Sequence, residues 1–400
     1  MKLTGQKYKV NSGRPKVLFL HQGGELYGSD IVFLQVIKAL SSDVEPIIVL
    51  DNHGPLIEEL QTICSNIIIQ KLGVLRRKHF NLHGILQCIY HIVRSALWLV
   101  KLIKRENISL VYSNTIGVLP GAFAAKITGV AHIWHIHEII ISPKGVSNLL
   151  TWLVLTLSTK VIAVSNAVAA RLSQGVQSKR KMISVIYNGV AVEPFDSAHG
   201  DSVRSEFGAN QSVVLIGVIG RIHYWKGQDY FLDVAYLMKK MDFNDFKVLI
   251  VGAPFKGYEY LIDELITKTQ KLGLVENIIF CGYRKDIPDI LKAVDIVVVP
   301  STQPDPFPMV VLEAMAACKP VVATAHGGPV EMIVDGYTGF LVPLDSPQIM
   351  AERLLQLAKN PQLRESMGKH GRKRVEDLFS IRRFNDDIRR VVLGKLRGDF

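Results

Sequence analysis

The sequence predicts an α/β protein built from two doubly wound parallel sheets. Three observations carry that prediction. Short β-branched runs alternate with helical-period segments. The alternation occurs in two series, separated by residues 190–203 (VAVEPFDSAHGDSV), which carry Pro, Gly, Asp and Ser without periodicity. The chain is 400 residues long, more than one hydrophobic core usually serves and suited to two domains of roughly 150–200 residues.

In the first series, residues 17–20 (VLFL), 47–50 (IIVL), 110–112 (LVY) and 161–164 (VIAV) read as buried parallel strands. Residues 134–138 (WHIHE) follow a β-type pattern. The second series supplies strands at 213–218, 248–251, 278–280, 296–299 and 320–323. Strands alternating with helices imply right-handed βαβ units and open parallel sheets. The expected division is an N-terminal domain over 1–190, a linker over 191–205, a C-terminal domain over 206–378 and a closing helix within 379–400. Ligands of such sheets bind beyond the carboxyl ends of the strands, so a cleft between two facing sheets is the default site.

Apolar residues make up 48% of the chain and charged residues 21%, which excludes a disordered, collagen-like or disulfide-scaffold chain. The net charge of +11 is lopsided. Residues 1–204 hold 22 Lys and Arg against 12 Asp and Glu, while residues 205–400 hold 25 against 24. One basic face meeting something anionic is therefore expected in the first half. Cys64, Cys88, Cys281 and Cys318 are scattered, which argues against a zinc site or a disulfide framework and suits a reducing compartment. The N-terminus has no apolar signal core. The longest apolar stretch, 85–103, contains His91, Arg94 and Lys101, charges that a spanning helix carries at a cost. A cytoplasmic protein is expected.

No G-x-G dinucleotide fingerprint, no P-loop and no Asp-x-Asp metal clamp occurs. Two segments carry chemistry instead. The first is Asp305-Pro306-Phe307-Pro308-Met309-Val310-Val311-Leu312-Glu313. A strand ends at Val299, and a helix is expected from Pro308 or Met309. Its unpaired N–H groups suit a phosphate, with one acid before it and one in its second turn to bind hydroxyls on either side. Taken alone, Asp305 also reads as a helix-start acid and Glu313 as a solvated helix residue. The second segment is Gly220-Arg221-Ile222-His223-Tyr224-Trp225-Lys226-Gly227, directly after a strand. Two cations five positions apart suit a diphosphate, Arg with bidentate geometry and Lys as a point charge. Taken alone they also read as solvated loop cations.

With these two segments in this order, the chain resembles the retaining glycosyltransferases of family four, which have the two-domain GT-B fold. Residues 185–190 (VIYNGV) resemble the family's domain-junction motif, and Phe280-Cys281-Gly282-Tyr283-Arg284-Lys285-Asp286 its nucleotide loop. Residues 161–165 (VIAVS) match its last N-domain strand. The segment from Asp305 to Glu313 resembles its Glu-x7-Glu motif, and Gly327-Gly328-Pro329-Val330-Glu331 the tail that follows. The resemblance implies that Arg221 and Lys226 hold a donor diphosphate and that Glu313 binds ribose. It puts Asp305 on sugar hydroxyls, the N–H groups of Met309 and Val310 on phosphate, and Gly282, Tyr283 and Arg284 around the base. Two departures bear on the donor sugar. Asp305 stands where the family has Glu, and Pro308 replaces a Gly, which removes one N–H and stiffens the loop.

In the first half, Gly23-Gly24-Glu25-Leu26-Tyr27-Gly28-Ser29 resembles the family's glycine loop, which admits donor and acceptor; it also reads as a plain strand-to-helix turn. On a strand, His135 and His137 share one face, which makes a metal pair one reading. The resemblance instead puts His137-Glu138 at a His-Asp position whose His contacts the donor sugar, and no metal is expected. Asn114 and Thr115 are placed on the acceptor side. The resemblance also implies that the final helix, 381–393, crosses back to the N-terminal domain.

From Arg76 to Arg105 there are seven cations and no acid, with Phe80, Tyr90 and Trp98 interleaved. Such a segment suits an anionic membrane surface; the competing reading is a buried helix with solvated ends. Lys179, Arg180 and Lys181 form a separate cluster. No nucleic-acid motif is present. The expected activity is retaining, metal-independent transfer of a hexose from a nucleoside diphosphate sugar, with no cofactor. The expected acceptor is a hydroxyl of a glycan or lipid-linked acceptor of cell-surface polysaccharide or lipopolysaccharide, at the inner face of the membrane. A nucleotide-sugar epimerase of the same fold and a non-catalytic glycan-binding relative are the rival readings.

Overall fold

The computed structural model describes residues 13–75, 82–174 and 177–399. The first strand series forms a seven-stranded sheet from β1 (Lys16–His21), β2 (Glu45–Leu50), β3 (Ile67–Ile69), β4 (Leu110–Asn114), β5 (Ala131–Ile136), β6 (Lys160–Ala163) and β7 (Ile183–Val185). Its order is β3-β2-β1-β4-β5-β6-β7, and every pairing is parallel. The second series forms a six-stranded sheet from β8 (Val214–Ile219), β9 (Phe246–Val251), β10 (Ile278–Gly282), β11 (Ile296–Val299), β12 (Val321–Thr324) and β13 (Gly339–Val342). Its order is β10-β9-β8-β11-β12-β13, again all parallel. Strand order reverses between β1 and β4 in one sheet and between β8 and β11 in the other. Those are the crevices where such sheets bind ligands.

The strands are continuous apolar runs because helices cover both faces of each sheet. Val17, Phe19, Val111 and Ile133 are fully buried, as are Val248, Val297 and Val321. One apolar cluster is continuous between the domains. It runs from Phe19 and Tyr112 through Val190, Phe379 and Phe384 to Val297 and Leu312.

Two expectations change. The strand at 161–165 is not the last of its sheet, since β7 adds a further edge strand. Three residues are too few to show a period. The linker is also more ordered than its composition suggests. Short helices at Glu193–Asp196 and Asp201–Glu206 dock on the second domain. Arg204 donates to the Ala293 carbonyl at 2.7 Å and pairs with Asp295 at 3.1 Å.

The final helix runs Ile381–Arg397, one turn longer than expected, and it packs on the first domain. Its buried face is Phe384, Ile388, Val391 and Val392, and Arg389 pairs with Asp43 at 2.8 Å. The backbone enters this helix through a two-way bond with the junction motif, Val190 N to Phe379 O at 2.9 Å and Ile381 N to Val190 O at 3.1 Å.

The apolar basic stretch forms one helix, Leu82–Glu106. By length and composition it could cross a bilayer. One face, with Cys88, Ala96, Leu99, Leu102 and Ile103, is instead buried against the first sheet's core. The other exposes Leu86, Ile89, Tyr90, Val93 and Leu97, each more than half exposed. The expected Arg76, Arg77, Lys78 and Phe80 lie outside the described residues, as does the side chain of Lys179.

Candidate functional site

The site is built at the two reversal points. After β8 the chain passes Gly220, whose N–H bonds Val251 O at 2.9 Å, and reaches Arg221. A single 3-10 turn, Tyr224–Lys226, ends at Gly227 in the left-handed region, with φ of 75°. That glycine is required: a Cβ there would lie 1.9 Å from the Pro300 carbonyl oxygen at the end of β11. The close approach brings the β8 loop onto the β11 loop. Lys226 Nζ consequently lies 2.6 Å from Asp305 Oδ2. The Asp305 side chain is 8% exposed and also meets Ser301 Oγ at 3.4 Å.

The paired-acid helix spans Met309–Ala316, with Pro308 at its N-cap. Pro308 has no N–H to offer, so the free donors of that terminus begin at Met309 and Val310. Gly28, the first residue of the helix Gly28–Leu40, faces this terminus across the cleft; a Cβ on Gly28 would sit 3.8 Å from Met309 Cγ. Two helix N-termini thus meet at the cleft, and both favour an anion. Glu313 is partly buried. Desolvation pushes its carboxyl up to about 7.

On the first domain, Gly23 and Gly24 follow β1. The glycine at 24 serves a close backbone approach, since its Cβ would lie 2.8 Å from Gly54 N, and its carbonyl accepts from Leu56 N at 2.8 Å. β5 ends at Ile136, so His135 lies on the strand and His137 just beyond it, with ring centroids 4.2 Å apart. Their nitrogens are engaged separately: His135 Nδ1 meets Tyr112 Oη at 2.7 Å, and His137 Nε2 meets Asn114 Oδ1 at 2.9 Å. Burial lowers both rings' affinity for a proton, His135 to about 3. Glu138 is turned toward backbone. Its Oε2 accepts from Ile116 N at 3.0 Å and His137 N at 3.1 Å, and burial raises its carboxyl to about 7. Thr115 is buried beside them, with its N–H on the His135 carbonyl at 2.8 Å.

Two residues without an assigned role, Glu25 and Glu331, join the halves. Arg221 reaches across the cleft to Glu25 Oε2 at 2.5 Å. Its guanidinium lies 3.5 Å from the Tyr27 ring centroid and 3.7 Å from that of Phe255. Glu331 reaches the other way. Its carboxylate accepts from the N–H groups of Asn166 and Ala167, both at 2.8 Å, and from Tyr187 Oη at 2.9 Å. Glu25 and Glu331 lie inside motifs the sequence displays, but their cross-domain partners are 196 and 165 positions away.

In the segment expected to flank a base, Gly282 ends β10 and its carbonyl accepts from Gly252 N at 2.8 Å. Tyr283 is half-exposed, with its ring 6.0 Å from that of Tyr27. The Arg284 side chain is turned away, held by Glu206 at 2.6 and 3.0 Å and by Asp286 at 2.7 and 2.9 Å. Any contact of Arg284 with a base therefore falls to its backbone.

Comparison with known proteins places the chain among glycosyltransferases. Residues 28–194 match the model of Glycosyltransferase Family 4, and residues 201–374 that of Glycosyl transferases group 1. The chain is 27% identical over 313 residues to an Escherichia coli enzyme, UDP-Gal:alpha-D-GlcNAc-diphosphoundecaprenol alpha-1,3-galactosyltransferase. That alignment covers 75% of this chain and 79% of the relative. A D-inositol 3-phosphate glycosyltransferase of Corynebacterium diphtheriae is 30% identical over 46% of this chain and 44% of its own length, so the chain spans less than half of that relative. Among solved structures, Anabaena HepE in complex with UDP-glucose superposes with a TM-score of 0.82 at 24% identity. The superposition covers 95% of this chain and 99% of that one.

Proposed function

The chain belongs to the family-four glycosyltransferases, and from that premise we propose that it moves a hexose from a UDP-sugar to a hydroxyl of a lipid-linked glycan acceptor, in cell-surface polysaccharide or lipopolysaccharide assembly. It is a nucleotide-sugar-dependent glycosyltransferase. The observation that carries the finer reading is the grouping of Arg221, Lys226, Asp305 and the N-terminus at Met309 around the reversal point of the second sheet.

When the bond between the anomeric carbon and the leaving oxygen breaks, negative charge grows on the departing diphosphate. Fixed cations and helix-terminal N–H groups stabilise that charge without reorganising. Arg221 and Lys226 supply the cations, and Met309 and Val310 the N–H groups. Glu313 accepts from the ribose hydroxyls, while Asp305 and His137 meet hydroxyls of the sugar. The reaction retains the anomeric configuration and uses no metal, a reading supported by the motif resemblance and by the lack of an Asp-x-Asp in the sequence. The choice of UDP is supported by the Anabaena neighbour, solved with UDP-glucose, and by the name of the E. coli relative, whose acceptor is diphosphoundecaprenol-linked.

The first domain carries the acceptor side, in the cytoplasm at the inner face of the membrane. The exposed row Leu86, Ile89, Tyr90, Val93 and Leu97, with exposed Arg94 and Lys101 on the same helix, supports contact with an anionic bilayer.

One experiment tests the donor and the reaction together. Thermal shift against UDP-, GDP-, ADP- and dTDP-sugars is followed by product analysis with a lipid-linked acceptor, with and without EDTA. Stabilisation by a UDP-sugar and EDTA-insensitive transfer with retained configuration are expected. An isomerised sugar nucleotide formed without acceptor indicates an epimerase instead. Loss of activity in EDTA, restored by one metal, removes the metal-free reading.

A further inference from the structure

Four polar side chains run in one line below the loop after β1. Asp30 Oδ1 lies 2.6 Å from His21 Nε2, His21 Nδ1 lies 3.0 Å from Asn114 Nδ2, and Asn114 Oδ1 lies 2.9 Å from His137 Nε2. His21 and Asn114 are fully buried and Asp30 is 5% exposed. The residues come from the helix Gly28–Leu40, from β1, from β4 and from the residue after Ile136. The line therefore lies at the reversal point of the first sheet.

Each end of the line has a fixed polarity. A carboxylate only accepts, so His21 Nε2 carries the proton facing Asp30. A second, longer contact agrees with this orientation of the Asn114 amide, because its Nδ2 also lies 3.2 Å from the Ser29 carbonyl oxygen, which only accepts. The amide nitrogen therefore faces His21 and the amide oxygen faces His137. His21 Nδ1 accepts, and His137 Nε2 donates. Burial and the neighbouring rings of His135 and His21 keep His137 neutral, so its Nδ1 retains a lone pair. Among the described residues no hydrogen-bond partner meets that nitrogen.

We propose that Asp30, acting through His21 and Asn114, fixes His137 in the tautomer protonated on Nε2, so that Nδ1 is an acceptor for a hydroxyl of the donor sugar. Asp30, His21 and Asn114 are positioning residues. The hydroxyl contact rests on the reading of His137 given above; the tautomer does not.

Asp30→Asn inverts the line. Asp30 Oδ2 accepts from Tyr27 N at 3.0 Å, so the amide oxygen of the substituted side chain stays on that N–H and its nitrogen turns to His21. His21 must then accept on Nε2 and donate from Nδ1. Asn114 flips in response, giving up its longer 3.2 Å bond to the Ser29 carbonyl to keep the one to His21, and His137 Nε2 becomes an acceptor.

The test is two-bond ¹H–¹⁵N correlation NMR of the full chain labelled at histidine, with His137 assigned through His137→Gln. Wild-type protein is expected to show His137 neutral and protonated on Nε2. Asp30→Asn is expected to move at least half of it to the Nδ1-protonated form and to lower kcat/KM for the UDP-sugar on the order of 10-fold, the effect of misaligning one substrate hydrogen bond. A wild-type His137 protonated on Nδ1 or on both nitrogens overturns the proposal, as does an unchanged tautomer in Asp30→Asn. A shifted tautomer with unchanged kinetics overturns the hydroxyl contact and the sugar-binding reading of His137, while the line of bonds stands. If Asp30→Asn does not fold, the wild-type spectrum alone decides the tautomer.

Discussion

Lys226 and Asp305 hold each other at 2.6 Å across the two loops that frame the second sheet's reversal point. The lysine is 29% exposed and the aspartate 8%, so the carboxylate depends on this partner more than the ammonium does. On the function proposed above, a donor diphosphate shares Lys226 with Asp305. An Asp, one methylene shorter than the Glu usual in the family, keeps its charge close to the β8 loop.

Removing Lys226 leaves a buried carboxylate without its cation. Lys226→Ala is expected to lose about 2 kcal/mol of stability, less than a wholly buried pair because the lysine is partly solvated. Turnover is expected to fall roughly 100- to 1,000-fold. Adding Asp305→Asn should restore most of the stability and none of the turnover. Chemical denaturation and initial rates of the single and double variants measure both, and a double variant with recovered turnover would remove Lys226 from the diphosphate.

Arg221 is occupied by Glu25 in this structure. The guanidinium must leave that carboxylate, or share it, to meet a diphosphate. Arg221→Ala is expected to weaken UDP binding about 10-fold or more, whereas Glu25→Ala should tighten it, because the arginine no longer has a competing anion. Calorimetric titration with UDP reads both. Equal weakening in the two variants would make Glu25 part of the nucleotide site.

Two carboxyls have folded-state values near 7, Glu313 and Glu138, each raised chiefly by desolvation. Their unfolded value is 4.5. Between these values the folded chain binds more protons than the unfolded one, so stability from these groups is full below about pH 4.5. It is lost as pH rises through about 7. The upper limit is about 3 kcal/mol for each group. Urea unfolding at pH 5 and pH 8 should show the decline, and Glu313→Gln should remove about half of it. An unchanged slope in that variant would mean that Glu313 titrates normally.

Glu331 caps the helix Asn166–Ser173 from the opposite domain. Glu331→Gln replaces charge-assisted bonds with neutral ones and should cost about 1 kcal/mol. Because the contact spans the cleft, the radius of gyration in solution scattering should rise together with the drop in Tm. A lower Tm at constant radius would confine the effect to the helix cap.

Replacing Leu86, Ile89 and Val93 with Ser removes part of the exposed apolar row without touching the buried face of the helix Leu82–Glu106. Sedimentation with anionic liposomes is expected to fall several-fold, with the Tm unchanged. Sedimentation equal to wild type would detach this helix from the membrane reading.

Much of the fold was legible because buried parallel strands are long apolar runs. Residues 17–20, 47–50, 248–251 and 296–299 display them openly, and the structure pairs each in a sheet. β3, β7 and β13 escaped because three or four residues carry no clear period. The short linker helices escaped for the same reason, being stabilised by docking, Asp196 on Arg372 and Arg204 on Ala293 and Asp295, rather than by an internal pattern. In the site, the Arg-Lys loop and the paired acids were visible because each is a local spacing on one loop or one helix. Arg284 shows the limit of that logic: its position in the nucleotide loop is local, but Glu206, 78 positions away, takes its side chain.

The sequence by itself determined the two strand series, the chain order of most of their elements, and the spacing of the cations and acids, since periodicity and short-range spacing are properties of neighbouring residues. The tertiary structure alone decided which charges are partnered. Lys226 with Asp305, Arg221 with Glu25, and the line from Asp30 to His137 join strands and loops that the chain visits far apart. Two cations of the basic first half acquire a location in the same way. Burial of one face of the helix Leu82–Glu106 leaves Arg94 and Lys101 at the surface with an apolar row beside them. The physical reason is that hydrogen bonds and desolvation act through space, and only the folded chain brings those groups within reach.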